Sequence, residues 1–175
     1  MATLIHPVTA LPGRTFYAAC LILTLLTLCS MGCQSAPTSE AGLKLQQVVI
    51  GDRTFNLELA LDDDTRFQGL SDRKSIPKDG GMLFVFPQSR QLNFVMRRCL
   101  VPIDLIYLGP GGRIVSMHQM QVEPYDTPEH KLKYYSSGWP AQFAIELREG
   151  SINQLELKVG QKIELPLSEL KAAAR

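Results

Sequence analysis

The chain has 175 residues, 45% hydrophobic and 20% charged, which is ordinary globular composition with room for one domain and tails. Lys and Arg number 18 against 17 Asp and Glu, with no basic cluster, so a nucleic-acid role is not expected.

The first 32 residues hold one charged side chain, Arg14, followed by the apolar run Phe16 to Leu28. A run of 13 residues is shorter than the roughly 20 that span a bilayer as a helix, and it suits the core of a secretory signal. It ends in Leu28-Cys29-Ser30-Met31-Gly32-Cys33. A small residue directly before a cysteine, after an apolar core, resembles a bacterial lipobox. The expectation is a lipoprotein-type signal peptide over residues 1–32 with Cys33 acylated. The lipid would make the membrane a partner and place the domain in the bacterial cell envelope, facing the periplasm or the exterior. Gln34 is compatible with outer-membrane sorting. Processing would remove Cys20 and Cys29 and leave Cys99 as the only free thiol, so no internal disulfide is expected. Residues 33–42, small and polar, read as a flexible tether.

From Leu43 the apolar pattern has period two. LKLQQVVI, Gly51-Asp52 and TFNLELA form a hairpin signature, with Phe55, Leu57 and Leu59 on one face. Asp62-Asp63-Asp64 offers an N-cap and dipole-matched carboxylates to a short helix that places Phe67 and Leu70 one turn apart. After a loop from Ser71 to Gly81 come MLFVF, LNFVM and IDLIYL, which read as three consecutive antiparallel strands. Gly109 to Gly112 is a turn and RIVSMHQM a fourth strand of the series. Glu123 to Trp139 reads as a long surface excursion. Phe143 to Leu147 is another strand, Gly150 starts a short helix or turn, and Gln161 to Leu165 closes the sheet. The single domain spans 43–167, and the tail 168–175 includes a short frayed helix. The fold class is mainly β (β-rich α+β): a compact antiparallel barrel or sandwich with one or two short helices.

Several segments together resemble one family. They are Arg66-Phe67-Gln68-Gly69-Leu70 with Arg73, then Gly81-Met82-Leu83-Phe84-Val85-Phe86, Phe94-Val95-Met96-Arg97 and Cys99-Leu100-Val101-Pro102-Ile103-Asp104. Ile145-Glu146-Leu147 follows, with Gly150 and Val159-Gly160. In order and spacing they are similar to the Domain of Unknown Function 192 family across roughly residues 45–165. Val95 stands where that family usually has tryptophan, and Cys99 where Thr is more common. The resemblance implies a compact β-rich domain, often secreted or membrane-tethered, with no established catalytic residues.

Asp104 and Glu146 are the candidate catalytic residues. Asp104 lies at a strand entrance, where it serves either as a general acid or base or as a cap on backbone amides of the Arg97-Arg98 turn. Glu146 alternates with Ile145 and Leu147 and so faces away from both. The two carboxylates support glycoside chemistry if they converge; otherwise Glu146 pairs with Arg66 or Arg97 as a structural bridge. The candidate ligand-binding set is Phe94, Arg97, Asp104, Tyr107, Glu146 and Arg66, arginine beside aromatic rings being suited to sugars and carboxylates. His118 and Met120 share a strand face, and Met96 or Cys99 could add soft sulfur, but one histidine makes only a minor metal reading. No metal site and no cofactor is assigned. Gly-x-Ser-x-Gly, phosphate-loop and dinucleotide motifs are all missing.

The leading functional expectation is a non-catalytic binding or accessory module for envelope carbohydrate, using Phe94, Tyr107, Tyr134, Tyr135 and Trp139 on one sheet face. The alternatives are a hydrolase acting on envelope glycans through Asp104 and Glu146, and a structural module that binds a protein partner.

Overall fold

The computed structural model describes residues 38–175, so the expected signal peptide, Cys33 and the first part of the expected tether lie outside the described residues. Strands β1 (Leu45–Ile50) and β2 (Arg53–Ala60) form the expected hairpin, with Ile50 opposite Arg53 across Gly51-Asp52. Gly51 has φ +63°, a backbone state the two-residue turn needs and side chains disfavour. Before β1, Thr38 bridges Lys44 and the Ser39 amide donates to the Leu43 carbonyl, so the end of the tether is a turn.

Helix α1 (Asp63–Gln68) is capped as its sequence predicts: Asp62 Oδ1 accepts from the Thr65 amide at 2.9 Å. The helix turns Phe67 outward, 63% exposed, while Leu70 beyond it is buried. Strand β3 (Gly80–Arg90) then runs parallel to β2, not antiparallel to its sequence neighbours. The expected meander is therefore corrected. Strand β4 (Asn93–Phe94) leaves the main sheet, β5 (Ile103–Leu108) and β6 (Ile114–Met120) form a hairpin, and β7 (Tyr135–Ser136) pairs with β4. Strand β8 (Ala141–Arg148) inserts between β3 and β5 and pairs antiparallel with both. Its near-continuous apolar run suits a central strand buried on both faces.

The six-stranded order is β1-β2-β3-β8-β5-β6, with β1 and β6 as free edges, so the sheet is open and does not close into a barrel. The fold is mainly β with a few short helices, layered on both faces of the sheet. Phe143, Ile145 and Leu147 of β8 point to one face, with Phe55, Leu57, Leu83 and Ile106. That face is closed by helix α2 (Ser151–Gln154), the chain after it, and helix α3 (Leu167–Ala173), through Leu155, Ile163 and Leu170. Leu170 is 3% exposed, so the expected C-terminal tail is part of the core. Gln161 to Leu165 adds no strand; it contributes one bridge, Lys162 to Arg113. The opposite face gathers Met82, Phe84, Leu105, Tyr107 and Ala144 beneath Leu70, Leu92, Met96 and Tyr135. Among the described residues no helix is long and apolar enough to cross a membrane.

Candidate functional site

Register decides the fate of the two candidate carboxyls. Glu146 of β8 lies opposite Leu105 of β5, whereas Asp104 of β5 lies opposite Leu147 of β8. Directly paired residues share a face and neighbours alternate, so Asp104 and Glu146 lie on opposite faces of the sheet. They do not converge, and the paired-carboxylate hydrolase is dropped.

Glu146 is 5% exposed, and its Oε2 is buried with no hydrogen-bond partner. It stands at a pocket of about 400 Å³ lined also by Phe84, Phe86 and Phe94, with Phe67, Arg66, Arg90 and Arg97 around them. Phe94 packs edge-on against Phe84 (centroids 4.8 Å apart, planes at 81°) and against Tyr107 (5.5 Å, 85°). Burial among these rings disfavours the charged carboxylate and pushes the Glu146 carboxyl up to about 8. At neutral pH it is a carboxylic acid, able both to donate and to accept a hydrogen bond.

The expected bridge from Glu146 to Arg66 or Arg97 is not formed. Arg66, its side chain only 7% exposed, donates to the Val85 carbonyl at 2.8 Å, to Asp63 at 2.7 Å and to the Arg175 carbonyl. It ties α1 to β3 and to the C-terminus. Arg97 is bidentate with Glu129, donates to the Phe67 carbonyl and stacks 3.9 Å over the Phe67 ring. Arg90 lies over Phe86 at 5.7 Å. Three arginines thus line the pocket without neutralising its buried acid.

Asp104 acts on the far face. Its Oδ2 accepts from the Ile152 amide at 2.7 Å at the start of α2, not from the Arg97-Arg98 turn. Burial raises its pKa, and amides of Ile152, Gly150 and Ser151 oppose that rise. It is a cap on α2. Tyr107 is fully buried; its hydroxyl donates to the Tyr135 carbonyl at 2.6 Å, so it supports Phe94 from beneath and reaches no ligand. Tyr135 is likewise buried, and Tyr134 and Trp139 are exposed but line no part of this pocket. His118 Nε2 donates to the Ser136 carbonyl at 2.8 Å, which commits that nitrogen, and the ring sits edge-on to Tyr107 and Tyr135. Among the described residues no group of three His, Cys, Asp or Glu could hold a metal. Cys99 is buried, and burial pushes its thiol up to about 12.

Four of the six sequence-selected residues, Arg66, Phe94, Arg97 and Glu146, therefore meet at one pocket. The sequence reading missed Phe67, Phe84, Phe86 and Arg90. Alternation along MLFVF puts Phe84 and Phe86 on one face, which was a usable signal; the outward turn of Phe67 and the position of Arg90 had none. A second cavity, about 500 Å³, is lined by Arg53, Lys78, Arg148, Glu149, Ser151 and Gln154 and holds none of the six sequence-selected residues.

A family model described as Uncharacterized ACR matches residues 46–165, nearly the whole described domain. A provisionally assigned transcription regulator from Sinorhizobium meliloti 1021 is 28% identical, with TM-score 0.57, over 67% of this chain and 89% of that one. A protein of unknown function from Novosphingobium aromaticivorans DSM 12444 is 23% identical, with TM-score 0.65, over 76% of this chain and 94% of the other, and shares the fold. No curated protein matches the chain.

Proposed function

The chain belongs to the Domain of Unknown Function 192 family, and on that premise we propose that it is a non-catalytic binding module of the cell envelope that takes a small carbohydrate into the Glu146 pocket. One observation carries the reading. A buried carboxyl with an unpartnered oxygen lies at a ring-lined pocket whose volume, about 400 Å³, suits one or two sugar rings. An unsatisfied buried acceptor costs free energy that a ligand hydroxyl recovers by donating to it. The neutral acid can donate back to the same ligand, and the phenylalanine rings offer apolar contact to sugar C–H faces. With Asp104 on the other face, the other carboxyl lining this pocket is Asp63, which is 99% exposed and held by Arg66 at 2.7 Å. The run Phe16–Leu28 and the pair Gly32-Cys33 support anchoring through an acylated Cys33, facing the periplasm or exterior.

Calorimetric titration of the full chain in non-ionic detergent with a panel of envelope glycans tests the binding. Saturable heat is expected for at least one neutral sugar, and its loss in Phe94→Ala. Flat isotherms across the panel would overturn the reading. Mass spectrometry of the mature N-terminus tests the anchor: a diacylated Cys33 is expected, and an unacylated product free in the medium would refute it.

A further inference from the structure

The chemistry of the pocket says more about its ligand than that it carries hydroxyls. Resting on the carbohydrate reading above, we propose that the pocket selects an amine-bearing ligand, with a primary ammonium group donating to Glu146 and the sugar ring lying against Phe84, Phe86 and Phe94.

Glu146 is an acid without a counter-charge in a pocket that contains three cations. Arg66 from α1 spends its guanidinium on Asp63 and on two carbonyls. Arg97, after β4, spends its own on Glu129 and the Phe67 carbonyl. Arg90 lies over the outer aromatic ring, Phe86. On the sheet side, the groups whose titration Glu146 influences are the Tyr107 phenol and the Cys99 thiol. Burial chiefly holds both in the neutral form, and Glu146 opposes their ionisation once it is itself ionised. Among the described residues no side chain therefore supplies the positive partner, and the orphaned Oε2 marks where one is missing.

An ammonium group fits that vacancy in two ways. It offers three N–H donors to an oxygen that has none, and its charge is attracted to the electron-rich faces of aromatic rings. A low-dielectric surround strengthens the pairing once both groups are ionised. A hydroxyl satisfies Oε2 only as a neutral hydrogen bond. Arg66 and Arg97 each have a carboxylate partner, which leaves Arg90, out over Phe86, as the one lining arginine without an ion pair to oppose the incoming cation.

Matched sugars distinguish this inference from the reading it rests on. The full chain is titrated with glucose and with 6-amino-6-deoxyglucose at pH 6 and pH 8. Forming the ion pair requires Glu146 to lose its proton, so amine affinity is expected to rise by about tenfold per pH unit well below 8 and to level off near 8, roughly fiftyfold from pH 6 to pH 8. Glucose affinity is expected to stay constant over the same interval. At pH 8 the amine should bind at least tenfold more tightly than glucose, and Glu146→Gln should abolish both the preference and the pH slope. Equal binding of the two sugars with no slope overturns the ammonium inference and leaves the carbohydrate reading standing. Binding of neither sugar overturns both. If Glu146→Gln fails to fold, the pH slope of the unaltered protein still decides the matter.

Discussion

The two faces of the central sheet differ in how they treat a buried carboxyl. On one face Asp104 reaches the first amides of α2, and the face is sealed by α2, α3 and the chain between them. On the other, Glu146 finds no donor and no cation, and the covering segments leave a pocket beside it. Burial cost is common to both acids, and each keeps one buried oxygen without a partner, Asp104 Oδ1 and Glu146 Oε2. What differs is that the chain gives Asp104 an amide through its other oxygen, which makes it part of the architecture, whereas Glu146 has no donor and stands at the open pocket.

The strongest way to break that contrast is to damage the sealed face. Phe143→Ala removes a fully buried ring between β3 and β5 and is expected to cost about 3–5 kcal/mol in urea unfolding. Phe94→Ala, on the pocket side, removes a partly buried ring and should cost less than about 2 kcal/mol while abolishing sugar binding. Equal losses from both would mean the two faces are equally structural.

A second test uses pH. Folding raises the Glu146 pKa to about 8, so the folded state holds a proton that the unfolded state releases at much lower pH. The stability tied to that proton is complete below about pH 4.5 and is lost progressively as pH rises through 8. The slope approaches about 1.4 kcal/mol per pH unit over that window, giving a total on the order of 5 kcal/mol. Glu146→Gln lacks this titrating group and keeps only that of Asp104, so unfolding curves at pH 5 and pH 8.5 should separate further for the parent than for the variant. Parallel behaviour of the two proteins would show that Glu146 is ionised and partnered in solution.

Asp104→Ala comes next. It strands the Ile152 amide at the start of α2 and is expected to cost about 2 kcal/mol. Sugar affinity should be unchanged, because the side chain lies on the opposite face. A parallel fall in affinity would couple the two faces and break the contrast.

What the sequence made legible was local. Gly51-Asp52 between alternating strands, Asp62 three residues before the Thr65 amide, and the glycine turn at 109–112 each involve contacts within a few residues, and each forms as read. Relations set by long-range pairing were not legible. Strand β8 comes from 50 or so residues beyond β3 yet separates it from β5, so the apparent meander carried no hint of the true order. The Asp104 partner is 48 residues away on α2, and a helix that short leaves little periodic trace. Alternation alone did show that Glu146 faces away from Ile145 and Leu147. Whether an arginine would meet it depended on where Asp63 and Glu129 took Arg66 and Arg97. Helical spacing put Phe67 and Leu70 one turn apart without saying which of them is covered; α1 buries none of its residues, and Leu70 beyond it is buried.

The smallest expected effect sharpens the contrast without disturbing the fold. Val95 lines the pocket beside Phe94 and Arg97 and is only partly buried. Val95→Trp adds a large ring at the rim, where it need not displace a core side chain, so stability should change by no more than about 0.5 kcal/mol. A sugar stacked on that ring gains roughly 0.5–1.5 kcal/mol, about a three- to tenfold tightening in a calorimetric titration. Such tightening is the outcome expected if, as proposed, position 95 governs how strongly the pocket holds a sugar ring and Glu146 which polar group it accepts. If Val95→Trp weakens binding at unchanged stability, the ligand approaches through the space above Val95, and the stacking surface is confined to Phe84, Phe86 and Phe94.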